Sequence, residues 1–102
     1  GVQILCLKAI NALLKRYGDQ FKSTANTLQG ELAKLVSQED HHRTALAVEN
    51  ASLLLSSCSA ERNNSVVQAC IQFSKNENDP NAVSITAIKQ FLAQAAKNGV
   101  IG

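Results

Sequence analysis

The sequence predicts an all-α fold, an antiparallel bundle of four to five helices in a single domain spanning residues 1–102, and three observations carry that reading. One proline and five glycines stand among 102 residues rich in Ala, Leu, Gln and Lys, a balance that favours helix throughout. Apolar residues recur at helical spacing, most plainly in the column Leu7, Leu14, Phe21, Leu28 and Leu35, one every seventh position. No stretch shows the period-two alternation of a half-buried strand, and no internal repeat is visible.

The first element is read as one long helix over about residues 2–36. Its opening segment, residues 2–17, is apolar around most of its circumference, with a narrow polar stripe carried by Lys8, Asn11 and Lys15. Such a helix needs neighbours on several sides or an assembly interface. Gly18-Asp19 is the point of tension. Lys15 and Arg16 before a glycine suit a helix C-terminus. Yet the column passes from Leu14 to Phe21 in phase, and an interior glycine costs only about 1 kcal/mol relative to Ala. Continuity is therefore expected here and at Gly30. An unbroken helix of this length would run roughly 52 Å, against a diameter of about 33 Å for a compact domain of this size. The alternative, a break at Gly18, gives a closed bundle of five helices.

Ser37-Gln38-Glu39-Asp40 reads as the start of a second helix over about 38–61, Ser37 capping and Asp40 reaching back. Its inward face would be Ala47, Val48, Ala51, Leu54, Leu55 and Cys58. Asn63-Asn64-Ser65 is a turn, followed by a short helix over 65–75 carrying Val66, Val67, Cys70, Ile71 and Phe73. Residues 76–81 form the loop richest in helix breakers. The last helix, about 82–98, starts near Asp79-Pro80 or with Ser84 as cap, presents Ile85, Ile88, Phe91, Leu92 and Ala95, and stops at Asn98-Gly99, where Val100 or Ile101 folds back.

Chemistry is sparse. Glu39-Asp40-His41-His42 is the one cluster of acid-base or ligating groups, but adjacent histidines diverge by about 100° on a helix and no HxxxH spacing supplies a partner. The cluster reads as a solvated first turn; no metal and no cofactor are predicted, and the chain is read as a non-enzyme. A calcium loop over 78–89 fails for want of the bidentate acid and the central glycine. Cys6, Cys58 and Cys70 have no zinc spacing and read as reduced, buried thiols of an intracellular protein. Cys58 and Cys70 lie equally far from Asn64, so a helical hairpin would bring them face to face as small buried side chains, or as a disulfide if their Cα atoms approach within about 7 Å. Asn50-Ala51-Ser52 and Asn63-Asn64-Ser65 match the glycosylation acceptor pattern, which matters only for a secreted chain. The chain begins at Gly1 and contains no Met, which reads as a processed or excised product.

Net charge is +2. That is too little to argue for nucleic acid, and four aromatics are few for base stacking. The charge is uneven: Lys8, Lys15, Arg16 and Lys22 against Asp19 make the first 22 residues +3. Lys8, Lys15 and Lys22 repeat every seventh residue beside the leucine column; a membrane surface is a weaker reading of that stripe than a wet helix edge, because interfacial helices carry more charge and Trp or Phe. No apolar run reaches membrane-spanning length, and a soluble protein is expected. The expected function is a coiled-coil-like interaction or oligomerisation module. It would bind a protein partner or a second copy through Leu7, Leu14, Phe21, Leu28 and Leu35, with Lys8, Lys15 and Lys22 at the edge. A small carrier enclosing an apolar, lipid-like ligand in its bundle is the second expectation.

Overall fold

The computed structural model describes residues 1–101. Among them are five α-helices and one short 3-10 turn: α1 (Val2–Tyr17), the turn Gly18–Phe21, α2 (Ala25–Ala33), α3 (His41–Ser57), α4 (Ser65–Asn76) and α5 (Val83–Lys97). The predicted helical bundle is therefore present, with no strand among the described residues.

The single helix expected over 2–36 is not. Tyr17 leaves helical geometry at φ −132°, ψ 34°, and the chain tightens into the 3-10 turn before α2 begins. The reason lies in α3. Gly18 is buried against the C-terminal end of that helix, where a Cβ would fall 2.9 Å from Ser57 Cβ and closer still to Ser57 Oγ. Its carbonyl accepts from Cys58 Sγ at 3.5 Å. The column kept its phase because both halves face one core, and not because one helix joins them: Phe21, Leu28 and Leu35 are half-buried and packed against it. Gly30, by contrast, is interior to α2, as expected. With the bend, the radius of gyration is 12.5 Å and the longest dimension 37 Å, which excludes the 52 Å rod.

α3 is the hub. It packs against α1, α2, the 3-10 turn and α5, while α4 meets α2 and α5. Its buried residues Ala47, Val48, Ala51, Leu54 and Leu55 are the predicted face, joined by two polar ones, Thr44 and Asn50. Small residues at Ala47 and Ala51 let neighbouring helices approach closely while Leu54 and Leu55 fill the space beyond. Burying each such leucine contributes roughly 1.5–3 kcal/mol. α4 presents Val66, Val67, Cys70 and Phe73 inward, and α5 presents Ile88, Phe91 and Ala95.

The helix ends differ from expectation by a few residues. Asp40, and not Ser37, caps α3: its carboxylate accepts from Arg43 N at 2.9 Å. Ser37 is held by Thr44 instead, whose Oγ1 donates to the Ser37 carbonyl at 2.7 Å and accepts from Ser37 N at 2.9 Å. α3 stops at Ser57, short of the expected 61. Asn64 caps α4 by accepting from Val66 N and Val67 N, and Asn63 before it adopts φ 54°. The C-terminal stop is as read: Gly99 at φ 73° reverses the chain, Val100 is buried, and its carbonyl accepts from Asn63 N at 2.6 Å.

The Asp40 cap gives a pH dependence. The N–H of Arg43 donates to the carboxylate and holds its pKa below the ordinary 3.8, with the Arg43 charge adding to the effect. A depressed carboxylate stabilises the fold above its unfolded pKa, and that contribution disappears as pH falls through the folded value. Asp40→Asn, which still caps, is expected to be less stable than wild type near neutrality and to converge with it in acid. Urea midpoints measured from about pH 6 down to about pH 2 check this; a gap that widens in acid would reverse the sign.

Candidate functional site

Two places on the molecule deserve a functional reading: the outward face of α1, and a polar cluster where three helix ends meet.

α1 is apolar on both sides, and α3 takes one of them. Leu7 and Leu14 are buried in the core at 2% and 3% exposure. Between them Asn11 Nδ2 donates to Asn50 Oδ1 at 2.9 Å, and Asn50 Nδ2 donates to the Leu7 carbonyl at 3.0 Å. These bonds fix which way α1 faces. Of the residues predicted to bind a partner, Leu7 and Leu14 therefore belong to the domain's own core, and Phe21, Leu28 and Leu35 are partly covered by it.

The opposite side of α1 has no cover. Val2 and Leu5 are 77% and 67% exposed, and Leu13 and Tyr17 about half exposed. Cys6, expected to be buried, is exposed there too. At ~100° per residue, Val2, Leu5, Cys6, Ala9, Leu13 and Tyr17 fall within an arc of about 120°, with Arg16 inside it between Leu5 and Ala9. Arg16 stacks over the Tyr17 ring at 5.5 Å, and Lys8 and Lys15 line one flank. Lys22 does not continue the row, since it lies beyond the 3-10 turn. α1 itself contains no acidic residue.

The second place was missed by the sequence, apart from its histidine. His41 Nδ1 lies 2.7 Å from Ser84 Oγ, and His41 Nε2 lies 3.6 Å from Glu77 Oε2. The imidazole also stands edge-on to Phe73, centroids 5.6 Å apart and planes at 83°. Glu77 Oε1 accepts from the N–H groups of Asn78 and Asp79 at 2.9 and 2.8 Å, organising the turn into α5. When Nδ1 accepts the serine proton, Nε2 carries its own proton towards the carboxylate. Serine, histidine and carboxylate stand in the order of a nucleophilic relay, but the histidine–carboxylate contact at 3.6 Å is too long to be its second hydrogen bond. Ser84, moreover, is completely buried within the first turn of α5, so its oxygen meets no substrate in this conformation. What the cluster does is tie the N-terminus of α3 to the end of α4 and the start of α5. Glu39 and His42, the remaining members of the predicted cluster, point to solvent. Among the described residues no three His, Cys, Asp or Glu side chains converge as a metal site.

Cys58 and Cys70 are free thiols and both are buried. Burial pushes the Cys70 thiol up to about 12 and raises that of Cys58 as well, so neither is poised as a nucleophile. Asn50 is fully buried, which removes it as a glycosylation acceptor in the folded chain, whereas Asn63 is at the surface. A mainly apolar recess of about 300 Å³ opens beside α5, lined by Pro80, Ile85, Ile88 and Leu92 together with Ser74, Glu77 and Lys89. No helix among the described residues is long and apolar enough to cross a membrane. Compared with family models, characterised proteins and solved structures, the chain matches none.

Proposed function

We propose that the protein is a helical interaction module that docks another protein surface onto the outward face of α1. One observation carries this reading: Val2, Leu5, Leu13 and Tyr17 stay exposed on a helix whose other face is already satisfied by α3. Scattered exposed leucines need no explanation, but an aligned apolar stripe on one helix does. The binding face differs from the leucine column, and the module's logic is unchanged: one apolar side of α1 holds the domain together and the other is left for assembly.

Sedimentation velocity over a wide concentration range, combined with cross-linking from a photoreactive side chain at Leu5 in an extract of the source cells, tests the proposal. A discrete complex is expected, lost on Leu13→Glu while the circular dichroism stays helical. A monomer at every concentration, with the same adducts from wild type and Leu13→Glu, would sink the idea.

The recess beside α5 supports a second reading, a carrier of a small apolar ligand. At about 300 Å³ it stands at the lower end of ligand-site volumes. The ligand would lie at the edge of the bundle and not within it.

A further inference from the structure

Resting on that docking surface, the geometry points to the class of partner: an amphipathic helix of another protein carrying Asp or Glu along the flank that meets Lys8 and Lys15. The outward face of α1 reads as a short heptad seam distinct from the buried one. Val2, Ala9 and Arg16 take its a positions and Leu5 and Ala12 its d positions; Leu13 and Cys6 fall at e, and Lys8 and Lys15 at successive g positions. Small residues at Ala9 and Ala12 let a second helix approach closely, with Leu5, Leu13 and Tyr17 as the larger contacts.

Charge decides the occupant. Among the described residues no ion pair within the chain engages Lys8, Lys15 or Arg16, and α1 has no acidic residue to offer a copy of itself. In an antiparallel self-pair, g flanks meet g flanks, so the lysines of both copies would line one side of the seam without an anion. In a parallel self-pair, Lys8 would meet Leu13 of the other copy at its e position. Flanking charges are what set partner choice in such seams. A partner with acids there gains two ion pairs and a third charge for Arg16. An anionic bilayer is the poorer fit, because the lysines border the apolar arc on one side only. The opposite border is Tyr17 and Ile10, and an interfacial helix is cationic across its polar face.

The probe is a fluorescent synthetic peptide, three heptads long, with Leu at a and d and Glu at e and g; its control carries Lys in place of Glu. Anisotropy titrations against the whole protein are expected to give about tenfold tighter binding of the Glu peptide. That preference should shrink with added salt and invert in Lys8→Glu/Lys15→Glu, whose substituted positions are exposed and leave the fold intact. Equal binding of both peptides, unchanged by the charge reversal, would overturn the acidic partner and leave the docking surface standing. So would a doubled molar mass abolished by Leu13→Glu with neither peptide bound, which would make the occupant a second copy. Binding to phosphatidylserine-containing vesicles in place of either peptide would likewise replace the acidic helix with a membrane. A monomer that binds none of these overturns both the partner class and the surface.

Discussion

Replacing Asn50 with Ala is expected to remove about 2–4 kcal/mol of stability, a large share of what a domain of this size has. Asn50 is fully buried on α3 and makes two bonds to α1, one to the Asn11 side chain and one to the Leu7 carbonyl. Alanine removes both bonds, leaves a void in a packed interior and deprives the half-buried Asn11 amide of its partner. The two amides are a matched pair, so the loss should not be additive. Replacing Asn11 and Asn50 together by Leu removes both partners of their side-chain bond, the change that can be nearly neutral, and leaves only the Leu7 carbonyl without its side-chain donor. That double variant is expected to be more stable than Asn50→Leu alone, with a coupling of about 0.5–3 kcal/mol in a double-mutant cycle. Urea midpoints at constant slope provide the measurement. An additive cycle would show that the pair does not hold α1 in place.

The same pair explains why some of the architecture could be read from the sequence and some could not. α3, α4 and α5 were legible because each has a single apolar face: Ala47 to Cys58, Val66 to Phe73, Ile88 to Ala95. Asn98-Gly99 was legible because an Asn-Gly pair after the last apolar residue of a helix is a local stop signal, and Gly99 takes φ 73° there. α1 was not legible in orientation, since both its sides are apolar. The larger column, Leu7 and Leu14, looked like the partner face, and Asn50 on α3, bonded to Asn11 across 39 residues of sequence, turns it inward instead. Distance in sequence hid the other cluster too. His41 was singled out, but Ser84 stands 43 residues on and reads locally as a cap. Capping near 37–40 was misplaced for a different reason: the pattern points to Ser37 as cap with Asp40 reaching back, but Thr44 occupies Ser37 and Asp40 takes the cap.

The break at Gly18 has the same character, and it yields a prediction whose sign separates the two architectures. Were residues 2–36 one exposed helix, Ala at position 18 would stabilise it by about 1 kcal/mol, as at any interior glycine. In the folded chain the backbone there is φ −50°, ψ −40°, which any residue adopts, so conformational freedom is not what glycine supplies. It supplies room. A methyl at Gly18 would press on Ser57 at the end of α3, and rotating the serine hydroxyl away leaves its Cβ still 2.9 Å distant. Gly18→Ala is therefore expected to lose about 1–3 kcal/mol, the usual cost of overpacking. Gly30→Ala, interior to α2 with nothing near a Cβ, is expected to gain up to about 1 kcal/mol. Adding Ser57→Gly to Gly18→Ala removes the obstructing atoms and should return part of the loss, although glycine near a helix end has its own small cost. Thermal or urea unfolding of the four proteins is enough to decide. If Gly18→Ala and Gly30→Ala both stabilise, α1 does not bend against Ser57 and the straight helix over 2–36 returns. If they move in opposite directions, Gly18 is held to glycine by the approach of α3, and that approach is what folds α2 back towards the core and leaves the outer face of α1 open.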